Sequence, residues 1–484
     1  LFTVPHDTVP RLTVPRITVP RLATPLVEIE IAVSQIVAVL VLSFLAIAVA
    51  PAPAHALELA APRWSVWREP PHALREPGPA SGRWEWRPIL FLASAYESDG
   101  RAILPEEDGL RLGVSSAAYH SGVVGAFEAG GTYAIGSKLR LDAAIFGTAR
   151  SEGPSTGRLQ ELALRLEGGR YGGSVGRTRL RWGPGHLGSI LAGRAAPPRW
   201  QAQGWTARPL RIPGTRMHWS GSLFLAYLDD EHRVIDDPIF FGQRLTWHPT
   251  SWMEITGART ILLGGEDRTS RLTARDFWNI LTGTNENLPG AERTAGDSDQ
   301  RASATLRLRV PVRLPVVERV EGFYEYAGED MLHPPIPSAV AHHNGVAVWV
   351  RGWAGSVEYE ETVTGSNRWY SHIVYGPDDY TYRRYPLGLV QGGDSRALRT
   401  TLWTPEGPAR ARLTRQEETF GEYTGNDERR VTWEVAGLAP VSARLTGEVL
   451  LARSRRIGQG VEPRAPGWFH SRIEVRLSYR PKLR

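Results

Sequence analysis

The sequence predicts an all-β fold, a transmembrane antiparallel β-barrel with inward-folded loops and one or more short helices. Three observations predict it. Apolar and polar residues alternate with a period of two over residues 84 to 480; an export leader precedes them; and no compositional break divides that stretch into domains. Apolar residues make up 42% and charged residues 22% of 484 residues, enough for a large core or a lipid-facing surface and too many hydrophobes for a disordered chain.

The leader comes first. Residues 1–25 repeat Thr-Val-Pro every five residues, and those prolines exclude helix and central strand. The chain opens on Leu1 rather than Met, which suggests translated upstream sequence or an over-long gene start. VSQIVAVLVLSFLAIAVAPAPAHA follows, closing on Ala54-His55-Ala56, and reads as a secretory signal cleaved after Ala56. A retained membrane anchor is the alternative; Pro51 and Pro53 ahead of the cleavage site favour removal. The expected organisation is a leader over 1–56, a short periplasmic segment over 57–82 and a barrel over 83–484.

Beyond the leader no run of 18 apolar residues remains, so no helical span is expected. In SATLRLRVPVRL, Ala304, Leu306, Leu308, Val310, Val312 and Leu314 share one face, opposite Ser303, Thr305, Arg307, Arg309 and Arg313. RIEVRLSYR sets Ile473, Val475, Leu477 and Tyr479 opposite Arg472, Glu474, Arg476 and Arg480. Alternation by itself fits a soluble sandwich or propeller as well as a barrel in lipid. Export and polar faces made of long Arg and Glu chains favour the barrel, with apolar residues outward and a wet lumen. Closure follows, because an open edge in hydrocarbon leaves N–H and C=O groups unpaired at several kcal/mol each. The 17 Trp and 15 Tyr suit aromatic girdles. One segment changes period: TARDFWNIL places Ala274, Phe277, Trp278 and Leu281 on one helical face, with Thr273 and Asp276 in capping-box spacing.

Several chemistries find little support. The chain has no Cys, which removes disulfides, thiolate metal sites and a lipoprotein anchor. No G-x-S-x-G elbow accompanies Ser395 in GGDS, no histidine presents itself as its base, and no enzyme, cofactor or metal is expected. His342 and His343, adjacent and so on opposite faces of any strand, read as loop residues. Asp229-Asp230 and Asp236-Asp237 lack calcium-loop spacing. Net charge is +6, carried almost wholly by Arg, with Lys only at 138 and 482. A G+C-rich genome explains that bias simply. The functional alternative is bidentate pairing with phosphate or carboxylate, on lipopolysaccharide or an acidic glycan. The Arg residues are spread along strands rather than gathered in a patch, which disfavours nucleic acid.

An ordered set of motifs narrows the reading. Trp182-Gly183-Pro184-Gly185 leads into Arg194-Ala195-Ala196-Pro197-Pro198; FLAYLDDEHRVIDDPIFFGQRLTWHP follows at 224–249, then GGEDR and RDFWNIL within 264–281, GDSDQRASATLRLRVPV at 296–312 and YRRYPLGLVQGGDSRAL at 382–398. Together these resemble the Wzi-type capsule assembly family. The resemblance implies an outer-membrane barrel of about 18 strands that binds capsular or other surface polysaccharide and takes part in capsule assembly or attachment without catalysis. It also implies a helical bundle at the periplasmic mouth. Here the sequence departs, since 57–82 is short and rich in Pro and Arg, and 273–281 is the clear helical candidate. The final strand also ends in Pro-Lys-Leu-Arg, where many such barrels end on an aromatic residue. A monomer among lipopolysaccharide and outer-membrane lipid is expected.

Two candidate sites result. The small and Gly-rich passage carrying Trp182, Gly183, Pro184, Gly185 and Arg194 is expected to fold inward and narrow the lumen, with a plain extracellular loop as the alternative. Trp369, Tyr370, Tyr375, Tyr380, Tyr382, Arg383, Arg384 and Tyr385 form the candidate glycan-binding set: rings can stack on sugar C–H faces, and the Arg pair can hold uronate carboxylates. Girdle or loop packing would produce the same aromatic composition. An anion-selective or general porin and a soluble secreted β-protein stand as the alternative functions.

Overall fold

The computed structural model describes residues 84–86, 89–97, 122–150, 156–180 and, with short interruptions, 182–479; the longest interruptions are 283–297, 421–427 and 459–467. The leader, the 57–82 segment, Arg194 and Arg384 lie outside the described residues. Among the described residues no helix is long and apolar enough to cross a membrane.

One antiparallel sheet of twenty strands dominates. Two of the twenty are short: Trp84–Trp86 pairs alongside the second barrel strand, and Leu210–Arg211 alongside the seventh. The other eighteen form a ring. They are β1 (Ile89–Glu97), β2 (Gly122–Ile135), β3 (Leu139–Arg150), β4 (Thr156–Gly168), β5 (Tyr171–Thr178), β6 (Arg199–Thr206), β7 (His218–Tyr227), β8 (Ile239–His248) and β9 (Met253–Leu263). The ring continues through β10 (Ser298–Val310), β11 (Val317–Leu332), β12 (Ile336–Val350), β13 (Trp353–Glu361), β14 (Ser395–Trp403), β15 (Arg410–Phe420), β16 (Glu428–Pro440), β17 (Leu445–Gly458) and β18 (Trp468–Tyr479). Each strand pairs with its neighbours in sequence, and β1 pairs with β18, Ile89 opposite Ser478. No edge is left open, as a hydrocarbon environment requires.

Burial runs opposite to that of a water-soluble protein. Leu166, Val175, Leu245, Val346, Val435 and Leu451 are exposed, whereas Arg301, Glu321, Glu325, Glu358, Gln416 and Glu434 are buried. Parity accounts for it: on β11, Glu321, Glu325 and Glu329 share the buried side, while Tyr324 on the other parity is exposed. The face assignment on β10 follows the same rule, with Leu306 and Val310 outward and Arg301 and Arg307 inward. Exposed aromatics gather at both rims, Tyr171, Trp247, Trp252 and Trp353 at one and Trp200 and Tyr227 at the other, where amphipathic rings favour the membrane interface.

The connections divide by length. Gly136–Lys138, Gly169–Arg170 and Arg351–Gly352 are tight turns at one end; 179–198, 228–238, 264–297 and 362–394 are long and share the other end. Short turns face the periplasm and long loops the exterior in barrels of this class.

Helix α1 (Ala274–Thr282) interrupts one long connection. Its N-terminus is a reciprocal capping box: Asp276 N donates to Thr273 Oγ1 at 3.2 Å, and Thr273 N donates to Asp276 Oδ2 at 3.0 Å. These hydrogen bonds hold the Asp276 carboxyl below its usual range. The face it buries differs from the one the spacing predicts. Ile280, with Phe277, packs on Ile261 and Leu263, while Trp278 is 64% exposed and Ala274 is exposed. Ile261 and Leu263 have the outward parity of Ile255, so the helix lies against the outside of the wall. An outward strand face rich in Ile and Leu gives Ile280 a partner that helical spacing alone does not reveal.

Candidate functional site

The connection between β5 and β6 turns into the lumen. Leu187, Ile190, Leu191 and Ala192 are fully or almost fully buried, and Trp182 packs edge-on against inward-facing Phe224 at 5.0 Å. A stretch so short of polar side chains must still satisfy its backbone. Inward carboxylates of the wall do this. Leu187 N donates to Glu358 Oε1 at 2.7 Å, Ile190 N to Glu325 Oε2 at 3.2 Å, and Ser189 Oγ to Glu325 Oε1 at 2.8 Å. His343 stands between the two carboxylates, Nδ1 at 3.2 Å from Glu325 and Nε2 at 2.7 Å from Glu358. The three side chains come from β11, β12 and β13, and Glu325 and His343 are direct cross-strand partners.

The same contact explains one glycine of the Trp-Gly-Pro-Gly stretch. A Cβ on Gly185 would lie 2.1 Å from Glu358 Oε1 and 2.7 Å from the His343 ring, so any side chain displaces the loop or the cage. Gly193 meets a similar limit, 1.7 Å from the carbonyl oxygen of Gly388, where its own N–H donates to Leu387 O at 2.7 Å. Trp182, Gly183, Pro184 and Gly185 therefore belong to a compact element packed against inward-facing residues of the wall.

The connection between β13 and β14 holds this plug from its other side. Tyr370 and Tyr380 stack with ring centroids 4.9 Å apart and 9° between planes. The Tyr370 hydroxyl donates to Ile190 O at 2.5 Å and accepts from Leu389 N at 2.9 Å; the Tyr380 hydroxyl donates to Leu191 O at 2.5 Å beside Thr260. Burial raises the pKa of both hydroxyls, which keeps them protonated and able to donate. The Arg301 guanidinium, ion-paired to Asp299 and Glu329, lies 4.1 Å from the Tyr380 ring centroid. Trp369 packs beside Tyr370, and the Tyr375 hydroxyl donates to Gly264 O at 3.3 Å.

The glycan-binding expectation needs revision on this account. Trp369, Tyr370, Tyr375, Tyr380 and Tyr382 are all buried and leave no ring face on which a sugar could stack in this conformation. Tyr370 and Tyr380 hydrogen-bond the plug, Tyr375 and Tyr382 hydrogen-bond the neighbouring connections at Gly264 and Asp229, and Trp369 packs beside Tyr370. Their composition could not separate this role from sugar stacking, because both use rings with a polar end.

At the long-loop mouth, Thr381–Tyr382 and Tyr385–Pro386 form a short ribbon in which Tyr382 pairs with Tyr385. Tyr382 Oη donates to Asp229, and Arg383 N donates to Asp230. Arg383 Nη2 sits 3.1 Å from Asp229 Oδ2. Burial, with the Asp229 hydrogen bond, pushes the Tyr382 hydroxyl up to about 12. Arg383 is at a positive φ of 51°, and its side chain is 45% exposed. Among the described side chains of the candidate set, Arg383 is the one presented to solvent; Arg384 and the Tyr385 side chain lie outside what the structure describes.

Glu325, His343 and Glu358 escape a reading by sequence, and His343 is a strand residue rather than a loop residue. The adjacent histidines do point apart: His343 is buried, while His342 lies near Tyr324 and Tyr326 on the other face. Acidic residues on the polar parity of two strands, with a histidine on the strand between, are the available signal. Reading it requires the register. Ser395 donates to Gly392 O and contacts Thr362, with no base beside it among its described partners. No group of His, Asp and Glu able to hold a metal occurs among the described residues.

The family described as "Capsule assembly protein Wzi" matches residues 93–404, well over half of the chain. The chain belongs to the Wzi capsule assembly family. Membership makes it an outer-membrane protein. A solved structure of Wzi, described as an outer membrane protein of Escherichia coli involved in group 1 capsule assembly and as a carbohydrate-binding β-barrel, shares the fold with a TM-score of 0.61. It is 14% identical, with 81% of this chain and 84% of that chain covered. Two others are more distant. OccAB2 of Acinetobacter baumannii is 6% identical over 84% of this chain and all of its own, at a TM-score of 0.49. OprD of Pseudomonas aeruginosa is 9% identical over 83% of this chain and 97% of its own, at 0.46. A search of curated proteins found no match. The Wzi family accounts for the barrel; the cage and clamp that seat the plug are read from this chain's own residues.

Proposed function

We propose that this Wzi-family barrel binds capsular or other surface polysaccharide at its long-loop mouth and takes part in capsule assembly or attachment by binding alone, without catalysis. The single observation that carries this reading is the seated plug: strand carboxylates and two buried tyrosines hold residues 182–193 across the lumen. A lumen filled in this way suits retention of a polymer better than conduction. Arg383, charged and half-exposed beside Asp229, is the proposed contact for an acidic sugar, and Arg384 its proposed companion. Export through a leader removed after Ala56, a short periplasmic segment over 57–82 and the barrel over 83–484 complete the proposed organisation.

The test pairs two measurements on the intact chain. Planar-bilayer recordings are expected to show little steady conductance, and cells lacking the protein are expected to shed surface polysaccharide that the wild-type gene restores. A steady, anion-selective current from the wild-type protein, with retention unchanged by its loss, would favour a porin and overturn the proposal.

A further inference from the structure

On the short-turn side of the plug the lumen keeps a cavity of about 220 Å³. Trp182, Gly183 and Pro184 of the plug bound it on one side, and inward residues of β8, β9 and β10 bound it on the others. Its volume is several times the ~30 Å³ share of a water molecule. It also lies below the roughly 300–1,000 Å³ of a drug-sized pocket, which suits a single sugar ring.

The charges around it are unequal. Arg307 pairs with Glu321 at 3.2 Å, and Arg309 with Glu254 at 3.1 Å. Glu325 is engaged by His343 and the plug backbone. Arg244, which lines the cavity from β8, makes no hydrogen bond and no ion pair among the described residues. Glu325 and Glu254 attract it electrostatically without being bonded to it, so its N–H donors stay available to a ligand in the cavity. Ser303 and Thr305 add hydroxyls to the wall, Glu254 adds a carboxylate, and Trp182 adds a ring. A cation for a carboxylate, acceptors for hydroxyls and an aromatic edge together match a carboxylated pyranose.

We propose that this cavity is a second, intraluminal binding site for a single carboxylated sugar unit, with Arg244 holding the carboxylate. It rests on the reading of the barrel as a polysaccharide binder, and it adds a site on the opposite side of the plug from Arg383. The site would let the protein engage a uronate from the short-turn side while the mouth engages polymer outside.

Saturation-transfer NMR on the detergent-solubilised full chain tests it, with glucuronate and glucose as probes. Saturation is expected to reach glucuronate more strongly than glucose. Arg244→Gln is expected to weaken glucuronate binding at least tenfold, as is Ser303→Met, which fills the cavity and leaves every charge in place. Each cavity variant is made in the Arg383→Ala background, which removes the proposed mouth contact, and heat-modifiable migration reports that each variant is folded. Glucuronate binding that survives both cavity variants overturns the proposal, and so does its absence in the wild type. Loss in Arg383→Ala alone also overturns it, while leaving polysaccharide binding at the mouth intact.

Discussion

Residues 182–193 offer the lumen backbone groups and apolar side chains, whereas residues 381–383, at the same end of the barrel, offer a phenol and a guanidinium. The plug has its polar needs met by others: Glu325, Glu358, Tyr370 and Tyr380 supply the hydrogen bonds. The mouth ribbon sets the Tyr382 and Arg383 side chains against Asp229 and the Arg383 backbone N–H against Asp230, and keeps the Arg383 guanidinium half in water. A loop satisfied from outside is selected for shape, so substitutions there act on stability and sealing. A loop that presents its own charge is selected for chemistry, so substitutions there act on what it binds.

The sharpest way to break this contrast is Glu358→Ala. It strips a partner from both His343 and Leu187 N and is expected to cost about 3–5 kcal/mol, as removal of one member of a buried charged pair does. Urea unfolding in detergent measures it, and a loss below 1 kcal/mol would show that the cage does not hold the plug. Gly185→Val comes next, at about 1–3 kcal/mol for overpacking, with a new steady conductance in planar bilayers as the plug is displaced. A folded Gly185→Val barrel that stays non-conducting would mean another element seals the lumen.

Tyr380→Phe keeps the stacked ring and removes the hydroxyl that reaches Leu191 O and Thr260. The expected cost is about 1–2 kcal/mol, read from the same unfolding curves. Arg383→Ala should change stability least, about 0–1 kcal/mol, because its pair with Asp229 is largely solvated. Polysaccharide retention should nevertheless fall in that variant and persist in Tyr380→Phe. The reverse order of retention would erase the distinction between plug and mouth.

The part of this design legible in the sequence is the part written in parity. The two faces of β10 could be named from SATLRLRVPVRL because a period of two survives any register. The Thr273–Asp276 cap could be named because its partners are three residues apart. What the plug rests on could not be named. Glu325, His343 and Glu358 become one site through the register of three strands, and Leu187 lies 171 residues from the carboxylate that holds it. Aromatic-rich composition misled for a related reason. A girdle, a sugar platform and an internal clamp all draw on Tyr and Trp, and only burial tells them apart. Helix α1 adds a smaller case, in which Ile280 rather than Trp278 packs on the outer face of the wall because that face supplies Ile261 and Leu263.

The seam between β1 and β18 sets the order in which such a chain can be built. Ile89 meets Ser478, nearly the whole length of the barrel sequence away, so the cylinder cannot shut until its last strand has been delivered. Until that moment both terminal strands carry bare hydrogen-bonding edges that invite pairing with any neighbour. Shortening the C-terminus by one strand would accordingly leave an unclosed sheet prone to aggregate, not a slightly smaller pore.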